Sequence, residues 1–163
     1  MTEKEKIGFI GCGKMGNPMA KRLINAGYRL MAYDLIEERT KELVAMGALA
    51  ADSLKSVAIR SEVIITMIPD DPAIEAVALG KEGILEVAQE GKILIDMSTI
   101  SPMASSRVAE VAKKKGVRYL RTAVSGSPKF AEAGILTIFV SGPEPVYQKC
   151  QPILEALGQK LFY

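Results

Sequence analysis

The feature that most constrains this chain is a glycine run where two periodicities meet. Ile7-Gly8-Phe9-Ile10 reads as a buried strand, Gly11-Cys12-Gly13-Lys14-Met15-Gly16 follows at once, and from Met15 the apolar residues recur at helical spacing. A strand that turns directly into a helix through G-x-G-x-x-G uses Gly11 for the tight turn and Gly16 for close packing of helix on strand. Gly13 leaves the backbone bare where an anion approaches. The helix start adds N–H groups without intrahelical partners and the positive end of its dipole. Asp34 stands at the end of the next expected strand, the spacing at which a carboxylate meets a ribose 2′-hydroxyl. Together these residues predict a dinucleotide cradle formed by Gly11, Cys12, Gly13, Lys14, Met15 and Gly16, with Asp34 on the ribose. Cys12 occupies the position beside the phosphate where a small residue is wanted.

The rest of the chain alternates in the same way. Strands are expected at Lys6-Ile10, Arg29-Tyr33, Val63-Met67, Lys92-Asp96 and Val117-Leu120. Helices are expected at Met15-Ala26, Glu37-Met46, Pro72-Leu79 and Pro102-Lys115, with a short strand near Ala48-Leu49 and a brief helix over Leu54-Ile59 capped by Ser53. Such alternation predicts an α/β fold: a Rossmann-type, doubly wound, mostly parallel sheet. After a turn-rich loop at Ser125-Gly126-Ser127-Pro128, a strand at Ile135-Val140, a helix at Glu144-Leu157 and a strand at Lys160-Tyr163 extend that sheet with extra C-terminal strands. No Ser/Gly linker, charge block or repeat divides the chain, so residues 1–163 read as one domain.

Composition excludes several function classes. A net charge of +2 on 163 residues does not make a nucleic-acid surface, and Lys113-Lys114-Lys115 reads as a solvated helix end. The N-terminus Met1-Thr2-Glu3-Lys4-Glu5-Lys6 lacks the apolar core of a signal peptide, and no stretch of about eighteen apolar residues occurs. The expectation is a soluble, cytoplasmic protein without a membrane partner. Cys12 and Cys150 form neither a disulfide framework nor a C-x-x-C pair. The complete lack of histidine removes a Ser-His-Asp triad, a Cys-His pair and the usual zinc sites. No metal site is expected.

Three further strand ends point to one edge of the expected sheet: Met67-Ile68-Pro69-Asp70, Asp96-Met97-Ser98-Thr99 and Val124-Ser125-Gly126-Ser127. Ligands of open α/β sheets bind outside the carboxyl ends of the strands, so these loops are expected around the nicotinamide half of the cofactor. Asp70-Asp71-Pro72 and Ser101-Pro102 each read as a helix cap followed by proline. Lys129 is near Ser125 in sequence but reads as a solvated lysine.

Taken in order, Gly11-x-Gly13-x-Met15-Gly16-x-Pro18-Met19-Ala20, Ile68-Pro69, Asp96-x-Ser98-Thr99-x-Ser101-Pro102 and Val124-Ser125-Gly126 followed by Ala131-Glu132-x-Gly134-x-Leu136 resemble the N-terminal part of the β-hydroxyacid dehydrogenases. That group includes 3-hydroxyisobutyrate dehydrogenase and 6-phosphogluconate dehydrogenase. The resemblance implies an NAD(P)-dependent oxidoreductase that passes hydride between a nicotinamide cofactor and a small 3-hydroxy acid or its aldehyde or keto counterpart. It implies that Met67, Ile68, Pro69 and Thr99 meet the cofactor and that Ser125, Gly126 and Ser127 bind the substrate carboxylate. The chain departs from the family where Arg121-Thr122-Ala123 stands for a frequent Asp-Ala-Pro and Ser127 for a second glycine. The family also carries a helical C-terminal domain for substrate binding and dimerisation, with a catalytic lysine and asparagine. It is expected to lie outside residues 1–163, so no catalytic residue is assigned here. The short chain is expected to be inactive alone, and the full-length protein a homo-oligomer.

Asp34 favours NAD, because its carboxylate accepts from both ribose hydroxyls and repels a 2′-phosphate. Arg39, five residues on, is the feature that would instead admit NADP. Two other classes share the cradle: a non-catalytic dinucleotide-binding sensor or assembly module, and an S-adenosylmethionine-dependent methyltransferase. The Ser98-Thr99 and Ser125-Gly126 motifs argue against the latter.

Overall fold

The structure, a computed structural model, describes residues 4–163; the reading of Met1-Thr2-Glu3 as part of a leader-free N-terminus lies outside the described residues. Eight strands form one sheet in the order β3-β2-β1-β4-β5-β6-β7-β8. β1 (Lys6–Ile10) is followed by α1 (Gly16–Asn25), β2 (Arg29–Tyr33), a 3₁₀ turn (Glu37–Thr40), α2 (Lys41–Ala45), β3 (Leu49–Ala50), α3 (Leu54–Arg60) and β4 (Val63–Thr66). Then come α4 (Asp71–Leu79), α5 (Ile84–Val87), β5 (Ile93–Asp96), α6 (Pro102–Lys114), β6 (Arg118–Ser125), α7 (Pro128–Ala133), β7 (Leu136–Ser141), α8 (Glu144–Leu157) and β8 (Gly158–Phe162).

Central strands carry apolar residues on both faces because helices cover both. Ile7 and Phe9 of β1, Val63 and Ile65 of β4, and Ile93 and Ile95 of β5 pack in one core with Met19, Ala20 and Leu23 of α1 and Ile153 of α8. The alternate residues Ile10, Ile64 and Leu94 pack on the opposite face against Val57 of α3, Ile74 of α4 and Val108 of α6. Each fully buried Ile or Phe contributes about 1.5–3 kcal/mol of transfer free energy, so the alternation on these three strands holds the two helical layers together. No described helix is long and apolar enough to cross a membrane.

Helix starts follow the cap signals in the sequence. Ser53 accepts from the amide of Ser56, Asp70 from that of Ala73 at 2.9 Å, and Ser101 from that of Ala104 at 3.1 Å. Lys113 and Lys114 close α6, where cations meet the negative end of the helix dipole.

Four features differ from the sequence-based expectation. The expected helix over Glu37-Met46 is a 3₁₀ turn running into α2. α5 and α7 are helices where the sequence pattern assigns none, α7 beginning at the Pro128 that ends the expected loop Ser125-Gly126-Ser127-Pro128. The expected strand Val117-Leu120 continues to Ser125, because its second half finds an antiparallel partner in β7, from Arg121 opposite Ser141 to Ser125 opposite Thr137. β7 and β8 therefore run against the other six strands while parallel to each other.

Candidate functional site

The carboxyl edges of β1, β2 and β4 surround a cavity of about 630 Å³, within the range of small-ligand sites. Its wall includes Gly11, Gly13, Lys14, Met15 and Gly16 from the glycine turn, Asp34 from the end of β2, and Met67, Ile68 and Pro69 from the end of β4. Residues separated by more than fifty positions meet there because β1 lies between β2 and β4.

The three glycines differ in what they permit. Gly11 has φ +94°, and a Cβ there would stand 2.2 Å from the Met67 carbonyl oxygen. A Cβ on Gly16 would stand 1.8 Å from the Gly11 carbonyl oxygen, so helix and turn meet backbone to backbone. A Cβ on Gly13 would have nothing within 4 Å and would enter open space. Two glycines are thus required by the fold, and the third keeps the cavity clear. That division matches a cradle for a pyrophosphate beside the start of α1, and the residues present fit a dinucleotide.

Asp34 is held by its surroundings. Its Oδ2 accepts from the Cys12 amide at 2.8 Å; its Oδ1 accepts from the Ile36 amide at 2.8 Å and from Arg39 Nη1 at 3.4 Å. Its side chain is only 6% exposed. Arg39 therefore faces Asp34, and it lines the cavity with Tyr33, Leu35 and Ile36.

Cys12 corrects one expectation. Its side chain is buried in the core and not beside the cavity, with Sγ 3.7 Å from the Tyr33 carbonyl oxygen. Burial, helped by the Asp34 charge, pushes the thiol up to about 12, which keeps it protonated and non-nucleophilic. What position 12 gives the site is its amide, spent on Asp34. Cys150 is also free and buried, its thiol raised by burial to about 11.

Thr99, Ser125, Gly126 and Ser127 do not line this cavity. Thr99 is exposed on the β5–α6 loop, and its neighbour Ser98 is buried. Ser125 ends β6 four residues past Arg121, the last residue of β6 paired with β5. At 3.3 Å per residue the strand overshoots β5 by roughly 13 Å, on the same edge as the cavity. Gly126 has φ +146°, and Ser127 caps α7 by accepting from the Phe130 amide at 3.4 Å. Lys129 is exposed on α7 and not in a loop.

Sequence reasoning missed part of the wall: Leu54 of α3, and Ala73, Ala76 and Val77 of α4, which give the cavity an apolar side. These look like ordinary core residues in a helical pattern. Only the packing of α3 and α4 around the carboxyl edge turns them toward a ligand.

Among known families, the NAD-binding domain of 6-phosphogluconate dehydrogenase matches residues 6–163. The 2-(hydroxymethyl)glutarate dehydrogenase of Eubacterium barkeri is 40% identical over 163 residues, which is 100% of this chain and 54% of that protein. The mitochondrial 3-hydroxyisobutyrate dehydrogenase of Mus musculus is 39% identical over 163 residues, covering 100% of this chain and 49% of the relative. Among solved structures, the 3-hydroxyisobutyrate dehydrogenase of Mycobacterium tuberculosis with L-serine superposes with a TM-score of 0.89 at 30% identity, over 97% of this chain and 53% of that one. The chain spans about half the length of the curated relatives it matches.

Proposed function

Because the chain belongs to the family of NAD-binding domains typified by that of 6-phosphogluconate dehydrogenase, we propose that it is the cofactor-binding half of an oxidoreductase acting on a small 3-hydroxy acid or its semialdehyde. The observation that carries this reading is one cavity lined both by Asp34 and by the bare backbone of Gly13. The named relatives act on 2-(hydroxymethyl)glutarate and 3-hydroxyisobutyrate, both of which carry a primary alcohol β to a carboxylate. Being dehydrogenases, these relatives favour the enzyme over a non-catalytic sensor or assembly module.

Each residue has a physical task in this reading. Asp34 accepts from the adenosine ribose, and its negative charge disfavours a 2′-phosphate, so NAD is the cofactor and NADP the weaker ligand. Gly11, Gly13, Lys14, Met15 and Gly16 form the pyrophosphate cradle, and Cys12 supports it from behind. Met67, Ile68 and Pro69 give the nicotinamide half an apolar wall, joined by Thr99 from the adjacent loop. When bound, the dinucleotide supplies a nicotinamide ring that takes or returns hydride. Ser125, Gly126 and Ser127 receive the substrate carboxylate at the overshooting end of β6, where a hydroxyl and loop amides offer directed hydrogen bonds.

The proton of the hydroxyl needs a positioned acid or base, worth about 10²–10⁴ in rate. No residue of this chain is assigned that task. It falls to a helical domain beyond this one, which also closes the site and forms the homo-oligomer. Following nicotinamide absorbance with 3-hydroxy acids and semialdehydes tests this, for this chain alone and for the full gene product. Turnover by the full product only is expected; turnover by the short chain that disappears in Lys129→Ala would instead make Lys129 the acid or base.

A further inference from the structure

We propose that Ser98 and Asp71 are positioning residues that clip the β4–α4 and β5–α6 loops into one rigid wall for the nicotinamide half of the cofactor, an inference that rests on the dinucleotide reading above. The two loops are joined at both ends. At the start, the Ile68 amide donates to Ser98 Oγ at 2.9 Å; at the end, the Ser101 amide donates to Asp71 Oδ1 at 2.7 Å. Each bond links residues thirty or more apart in sequence, and between them lie Pro69 on one loop and Thr99 on the other.

The clip stands on a buried base. Ser98 Oγ donates to the Thr66 carbonyl oxygen at 3.4 Å, and the Ser98 amide donates to Asp96 Oδ1 at 3.1 Å. The same carboxylate oxygen accepts from Thr66 Oγ1 at 2.9 Å. On the far side Arg121 Nη2 donates to the Ile100 carbonyl oxygen at 2.8 Å. The segment from Ser98 to Ser101 is therefore tied to β4, β5, β6 and the start of α4.

This matters to the site because the β4–α4 loop abuts the cradle. Met67 and Ile68 supply the atoms that a Cβ on Gly11 would strike, the Met67 carbonyl oxygen at 2.2 Å and Ile68 Cγ2 at 2.9 Å. A displacement of Ile68 would change the distance between the phosphate cradle and the apolar wall, the length over which a dinucleotide must stretch. Ser98 and Asp71 do not line the cavity. They act on a ligand only through Ile68, Pro69 and Thr99, and their loss is felt by the half of the ligand that those residues meet.

The experiment compares NAD with ADP, which has the adenine, ribose and pyrophosphate but no nicotinamide. Ser98→Ala and Asp71→Ala are titrated calorimetrically with each ligand, and Asp71→Asn, which keeps an acceptor for the Ser101 amide, serves as the conservative control. The expected result is a fall of about three- to tenfold in NAD affinity for each alanine variant, with ADP affinity unchanged within about twofold and Asp71→Asn near the unaltered chain. Parallel losses of NAD and ADP, or no loss of NAD, would overturn the clip. If the buried Ser98→Ala substitution prevents folding, Asp71→Ala, at the half-buried first residue of α4, carries the same comparison. An unaltered chain that binds neither ligand is a separate outcome, which overturns the dinucleotide reading itself.

Discussion

The amide of Cys12 donates to Asp34 Oδ2 at 2.8 Å, so the glycine turn after β1 and the acidic end of β2 form one unit. The carboxylate proposed for the ribose is the same group that fixes the loop proposed for the pyrophosphate. Its other oxygen is held by the Ile36 amide and by Arg39. An aspartate so constrained loses little freedom when a ligand arrives, which favours binding.

Asp34→Ala is therefore expected to act twice. It removes a charge-assisted acceptor from the ribose, costing NAD about 1.5–3 kcal/mol, and it strands the Cys12 amide, costing the fold about 1–3 kcal/mol. NADP loses less, because repulsion of its 2′-phosphate ends and Arg39 is released. Calorimetry with both cofactors and a thermal melt measure these effects; a selectivity for NAD that survives the substitution would contradict the role of Asp34.

Gly13 and Gly16 are expected to separate function from folding. Gly13→Val projects into open space and should abolish dinucleotide binding with a melting temperature within a few degrees of the unaltered chain. Gly16→Ala drives a Cβ into the Gly11 carbonyl oxygen and should lower stability by about 2–4 kcal/mol, in the range of severe steric changes. Circular dichroism and a binding assay distinguish the two; normal binding by Gly13→Val would mean that the loop is not a cradle.

Two aspartates are expected to tilt the pH dependence in opposite senses. Burial raises Asp96 above its ordinary value of 3.8, despite hydrogen bonds from Ser98, Thr66 and Tyr119. The folded chain thus holds that proton more tightly than the unfolded one, and stability falls as pH rises from 3.8 through the raised value. The Ser101 hydroxyl and amide lower Asp71 below 3.8. Its contribution is present above 3.8 and is lost as pH falls through the lowered value. Asp96→Asn, whose amide can still accept from Thr66 and Ser98, should be at least as stable as the unaltered chain at pH 7, with its advantage shrinking on acidification. Asp71→Ala should be less stable at pH 7, with the deficit closing in acid. Melting temperatures across pH 2–7 read both signs, and a shared sign would contradict these environments.

The sheet and most of the cavity were legible because strong local signals and tertiary packing agree. β1, β2 and α8 have the bounds that periodicity predicts, and the cap residues Ser53, Asp70 and Ser101 each begin a helix. The misses have physical causes. Ser127-Pro128 is the same cap-then-proline signal as Ser101-Pro102, but a six-residue helix in a run of small and polar residues lacks the periodicity to announce itself. Arg121-Ser125 continues as strand only because β7 comes back to pair with it, a partner that no local window contains. At the site, the glycines and Asp34 were legible as residues of one cavity, since a glycine turn between strand and helix and an acid at the next strand end are local signals. The inward turn of the Cys12 side chain and the apolar wall from α3 and α4 were not, because each depends on which neighbour the fold brings near.

The central claim is that this domain is built for NAD, and a calorimetric titration of the unaltered chain with NAD and with NADP tests it most directly. The account predicts saturable one-to-one binding of NAD with at least about a tenfold preference over NADP, the equivalent of about 1.4 kcal/mol. Tighter binding of NADP, or no binding of either cofactor, would contradict it.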